Sequence, residues 1–162
     1  MLLALAATLL FVSKTQKKIA YVNALELYDG FEMKKELEQS FIKVQSGRKA
    51  QLDSLELELR MLNAQLESSG SKSGLIQVFE IRRDSYLQKK QQFEEDNGLM
   101  QEQYNSNIRK QLNQYVADYG KEHKYDYLLG ADGSGALMYA KETADVTKEV
   151  LNYINDKYKG IK

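Results

Sequence analysis

Apolar residues recur at steps of three and four from Glu32 to Glu122, about ninety residues with one break. Side chains three and four apart share one face of a helix, so this rhythm predicts amphipathic helix rather than strand. The break is Ser68-Ser69-Gly70-Ser71-Lys72-Ser73-Gly74, a small and polar run with turn character. Two long helices are therefore expected to run out and back around an apex at 68–74. The chain contains no proline, the residue that most reliably stops a helix, because it lacks an N–H donor and clashes with the preceding turn.

The two arms are built differently. In the first, Leu37, Phe41 and Val44 give way after a slip to Leu52, Leu55, Leu59, Leu62 and Leu66, a stripe of coiled-coil quality. In the second, Phe79, Tyr86, Phe93 and Met100 repeat every seven residues, but the positions between them hold Arg82, Arg83, Lys89, Lys90, Asp96 and Asn97. Packing against the first arm accounts for the sevenfold spacing. A thin stripe of large aromatics is also suited to be a wall for apolar cargo, and Phe79, Tyr86, Phe93 and Met100, with Leu87 and Leu99 beside them, are the candidate cargo-binding residues. Two glycines sit inside the arms, Gly47 and Gly98, each at a cost of up to about 1 kcal/mol against alanine. In a symmetric hairpin the two face each other within a turn, which makes them a candidate hinge.

Both ends of the chain change period. Lys18-Ile19-Ala20-Tyr21-Val22 alternates like a strand, Asn23 is a helix N-cap, and Gly30 is a joint between a short helix and the first arm. Tyr125 to Leu129 and Ala136 to Ala140 flank a glycine-rich stretch, Gly130 to Gly135, and predict a β-hairpin. Thr143 to Asp145 offer caps for a last helix with Val146, Val150, Leu151, Ile154 and Tyr158 on one face. The expected fold is α+β, mostly α: a long protruding antiparallel helical hairpin (32–122) on a small β body made by strands from both termini (17–31 and 123–162). Ile19, Tyr21, Leu128, Leu137 and Tyr139 are its candidate oligomer contacts. Such short strands leave pairing edges open, and a hairpin buries little surface per residue, so assembly with other subunits is expected.

Composition narrows the chemistry. Lys and Arg total 23 against 23 Asp and Glu, and a net charge of zero removes the electrostatic case for nucleic acid. With no cysteine and one histidine, His123, there is no thiolate metal site, disulfide or catalytic triad. Gly130 to Gly135 is followed by a predicted strand and has no Gly-Lys-Ser/Thr ending, so it reads as a turn and not as a phosphate loop. Glu94, Glu95 and Asp96 read as a solvated helix face. No enzyme and no cofactor are expected. At the start, Leu2 to Val12 is an apolar run of 11 residues, shorter than the ~20 a spanning helix needs; residues 1–16 read as a signal-like segment and linker, the alternative being a retained membrane tether on a coiled-coil structural or spacer protein of the cell envelope.

The order of these features resembles the Skp (OmpH-like) periplasmic chaperone family. The residues that carry the resemblance are Lys18 to Asn23 at one end, and Tyr125 to Leu129, Leu137 to Ala140 and Asp145 to Val150 at the other. It implies a homotrimer in which strands of three subunits form a small body and three helical hairpins enclose a cavity. It also implies a periplasmic, ATP-independent holdase whose partners are unfolded outer-membrane β-barrel proteins. Known members are strongly basic, whereas this chain is neutral, which makes capture of acidic lipid or lipopolysaccharide doubtful.

Overall fold

The computed structural model describes residues 17–68 and 73–160. The signal-like segment and the centre of the predicted apex lie outside the described residues. The elements are β1 (Ile19–Asn23), α1 (Ala24–Gly30), α2 (Glu32–Ser68), α3 (Ser73–Glu122), β2 (Tyr127–Ala131), a 3-10 turn (Glu142–Ala144) and α4 (Thr147–Tyr158). The described residues form two compact units, one from 17–35 together with 107–160, the other from 36–68 together with 73–106.

The first unit is organised by β1. Its alternation buries Ala20 and Val22 and leaves Ile19 exposed and Tyr21 half-buried. Asn23 caps α1 as its side-chain oxygen accepts the backbone N–H groups of Leu25 and Glu26, each at 3.1 Å. Such a cap is worth about 1 kcal/mol. α1 ends at Gly30, where a Cβ would come within 2.7 Å of Leu151, so the joint also lets α4 approach closely. Phe31 follows with no exposed surface. Its ring meets Tyr115 and Tyr158 edge-on, at 6.2 and 5.6 Å between centroids. Leu27, Ile108, Leu112, Val150 and Ile154 complete this core.

β1 pairs with β2 in parallel, from Ile19 opposite Tyr127 to Asn23 opposite Ala131. Parallel neighbours need a long crossover, and here the whole of α1, α2 and α3 supplies it. This differs from the expected β-hairpin. Residues 136–140 form no strand, and the sheet among the described residues has two strands. After β2 the chain enters an open loop: the Ser134 N–H donates to Asp132 Oδ1 at 2.9 Å, and Gly133 and Gly135 have φ of 78° and 95°. Leu137, Met138 and Tyr139 are consecutive apolar residues without the alternation of a half-buried strand, and a two-stranded hairpin alone is marginal in water. Leu128 and Leu137 are half-buried, while Tyr139 is 82% exposed.

The other side of β1 is occupied by a single parallel bridge from Tyr21 to Asp145. A relay of hydrogen bonds fixes this corner. The Asn23 N–H donates to Thr147 Oγ1 at 2.8 Å, and the Thr147 hydroxyl and N–H both donate to Asp145 Oδ1. Burial acts to raise the Asp145 pKa, but the two Thr147 donors and the Tyr21 hydroxyl outweigh it and hold the carboxyl below its ordinary 3.8. A folded pKa below the unfolded one contributes stability above the unfolded value, and that contribution is lost as pH falls through the folded value. Thermal midpoints are thus expected to drop on acidification below 3.8. Thr147→Val removes both donation and acceptance, and is expected to cost about 1–3 kcal/mol and to flatten part of the acid slope. Denaturation of both proteins across the acid range checks this.

Candidate functional site

The second unit contains α2 from Glu36 and α3 up to Ser106. As residue numbers rise along α2 they fall along its partners on α3. The Phe41 ring meets Tyr104 edge-on at 6.3 Å, Arg48 reaches Asp96 and Asn97, and Met61 and Leu62 share a groove with Val78 and Arg82. The seam on α2 is the expected one: Leu37, Phe41, Val44, Leu52, Leu55, Leu59, Leu62 and Leu66 are all half-buried. On α3 the half-buried positions are Leu75, Phe79, Tyr86, Lys89, Phe93, Asp96, Asn97, Met100 and Tyr104.

The candidate cargo residues thus divide into two sets. Phe79, Tyr86, Phe93 and Met100 lie half-buried, and Phe93 sits beneath two cations, the Arg48 guanidinium at 5.3 Å and the Lys89 ammonium at 5.8 Å. Tyr86 and Phe93 also line a groove of about 480 Å³ with Ile42, Leu52, Lys49 and Lys90. Leu87 and Leu99 project into solvent, 54% and 66% exposed.

Sequence reasoning missed a larger group of exposed apolar side chains. Leu57 and Met61 on α2 are 59% and 58% exposed, and Ile76, Val78 and Ile81 on α3 are 43%, 44% and 62% exposed. They cluster in the stretch nearest the predicted apex. Met61 and Val78 rim a groove of about 260 Å³ with Leu62, Glu58, Gln65 and Arg82. Leu57 lies one turn before Met61, and Ile81 one turn after Val78, at spacings that extend each face along its helix. The signal was available: these apolar residues fall off the three-four seam rhythm, so the seam does not explain them.

A cation, Arg82, lines the same groove, and Arg83 follows it in the chain. Arg83 donates twice to Asp84, at 3.0 and 2.8 Å, and that carboxylate raises its pKa further above the ordinary value. Among the described residues no group of acidic and histidine side chains could hold a metal ion. Gly47 and Gly98 lie inside unbroken helix, and a Cβ at either would meet no heavy atom within 4 Å.

Comparison with known proteins adds a lineage to this geometry. The family described as "Outer membrane protein (OmpH-like)" matches residues 18–154. The chain is 28% identical to the chaperone protein Skp of Pectobacterium atrosepticum over 144 residues, covering 82% of this chain and 85% of that protein. It is 27% identical to the chaperone protein Skp of Yersinia enterocolitica over 162 residues, covering 94% and 93%. In fold it is similar to the crystal structure of an OmpH-like protein from Caulobacter crescentus CB15, with a TM-score of 0.65 at 15% identity over 88% of this chain and 86% of the other.

Proposed function

Because the chain belongs to the OmpH-like outer membrane protein family, we propose that it is an ATP-independent holdase that shields unfolded outer-membrane β-barrel proteins from aggregation in the periplasm. The observation that carries this reading is the exposed apolar set Ile42, Leu57, Met61, Ile76, Val78, Ile81, Leu87 and Leu99 on two long helices whose exposed faces are mostly polar. Each such side chain contributes on the order of 1 kcal/mol when a client covers it. Release then needs no nucleotide, because single contacts are weak and holding comes from their number.

In this reading α2 and α3 form a helical hairpin, three copies of which surround the client, and the first unit is where the copies join. Apolar exposure supports the joining surface: Ile19 is 52% exposed, Tyr127 49%, Leu129 42%, Met138 88% and Tyr139 82%. Among the described residues β2 has β1 alone as a neighbouring strand, which supports it too, since unpaired strand edges invite a partner.

Mass determination in solution is expected to give a trimer, and the trimer to suppress aggregation of a denatured β-barrel protein without nucleotide at about one trimer per client. A monomer at working concentration would remove the enclosed cavity. A trimer that leaves aggregation unchanged would remove the holdase.

A further inference from the structure

Arg48 places a charge on the α2 seam. Val44 and Leu52 are each four residues from Arg48, so Arg48 occupies the stripe where the leucine rhythm slips. Its side chain is 19% exposed, and it faces the polar part of α3: one guanidinium nitrogen donates to Asn97 Oδ1, and the other lies 3.4 Å from Asp96 Oδ2. The guanidinium also lies over the Phe93 ring at 5.3 Å. A leucine at this position would pair the helices at least as well, because a half-buried ion pair returns little beyond its desolvation cost. What a charge adds is dependence on solution conditions and a preferred register.

The neighbours of this contact give it a second property. Gly47 precedes Arg48 and Gly98 follows Asn97, so each helix has a glycine one residue from the same polar contact. Neither glycine is required by packing, since a Cβ at either position would meet nothing within 4 Å. The helices are therefore most easily bent at the level where a charged contact joins them. Asp96 is 42% exposed and is held by one guanidinium nitrogen rather than a two-pronged pair, which leaves the contact open to screening.

We propose that Arg48, Asp96 and Asn97 form an ionic clasp that holds α2 and α3 together at the level of the two glycines, and that opening the clasp lets the two helices separate at that level, between the seam contacts on either side of it. This goes beyond the holdase reading and does not depend on it, because it concerns only the pairing of the two helices.

The natural chain has no cysteine, so spin labels can be placed at the exposed positions Ala50→Cys and Glu95→Cys, at the level of the clasp, in the full chain, diluted with unlabelled chain so that one pair is read per assembly. Double electron–electron resonance is expected to give a narrow distribution at 0.1 M salt that broadens and shifts to longer distance at 1 M, as the screening length falls from about 10 Å to about 3 Å. Arg48→Gln should give the broad, long distribution at both salts with helicity retained. The exchange Arg48→Asp with Asp96→Arg should restore the narrow one at low salt. Adding Gly47→Ala and Gly98→Ala to Arg48→Gln should shorten and narrow the distribution again. Identical distributions for the unsubstituted and Arg48→Gln chains would overturn the clasp, and a broad distribution unaffected by the two alanines would overturn the role of the glycines.

Discussion

Phe31→Ala is expected to cost about 3–5 kcal/mol, the range for emptying a fully buried aromatic site. Against a typical net stability of about 5–15 kcal/mol this is a large share. The ring has no exposed surface and packs edge-on against Tyr115 and Tyr158, so its removal unpacks α3 and α4 together. The backbone around it is also committed. The Glu32 N–H donates to Asn155 Oδ1 at 2.9 Å, the Asn155 amide donates back to the Gly30 carbonyl at 3.2 Å, and the Lys34 N–H donates to the Phe31 carbonyl at 3.1 Å. These bonds hold the segment in place and limit how far it can collapse into the void. Phe31→Leu keeps most of the volume and should cost less than about 1.5 kcal/mol. Urea denaturation of the three proteins checks this, and an alanine variant within about 0.5 kcal/mol of the parent would mean that the core lies elsewhere.

Features set by neighbouring residues were legible in the chain. Asn23 could be read as a cap because its side chain needs only the next turn, and Gly30 as a joint because both adjoining helices declare their periods. The long helices follow from spacing alone. Partners distant in sequence were less legible. β2 is a strand where one was expected, yet its neighbour is β1 in parallel, and the pairing begins where the Lys18 N–H donates to Asp126 Oδ2 and the Asp126 N–H donates to the Lys18 carbonyl, 108 residues apart in the chain. The stretch 136–140 has strand composition but pairs with no strand among the described residues. Arg48 was visible only as a slip in a leucine rhythm, since Asp96, 48 residues away, gives the slip its meaning. The sevenfold stripe on α3 was found, but periodicity cannot say which side of a stripe faces a partner helix and which faces solvent. Relative exposure separates Leu87 and Leu99 from Phe79, Tyr86, Phe93 and Met100.

That separation leads to the prediction with the largest expected effect on activity. Changing Leu57, Met61, Val78 and Ile81 together to glutamine is expected to raise the concentration needed for half-suppression of aggregation about tenfold or more, since 1.4 kcal/mol of lost binding already gives a factor of ten. Glutamine is chosen because it is nearly as good a helix former as leucine or methionine, so the helices should persist. Their exposure, 59%, 58%, 44% and 62% respectively, means little packing is lost, and the denaturation midpoint should stay close to the parent. Changing Phe79, Tyr86, Phe93 and Met100 to glutamine should act in the opposite order. These four are half-buried, and Phe93 supports both Arg48 and Lys89, so stability falls first and holding follows from the loss of helix pairing. The two quadruple variants, measured for both midpoint and aggregation suppression, separate a client wall from a seam. If the sevenfold set lost holding at unchanged stability while the exposed set kept it, the client would lie on the aromatic stripe, in a state where the two helices have parted.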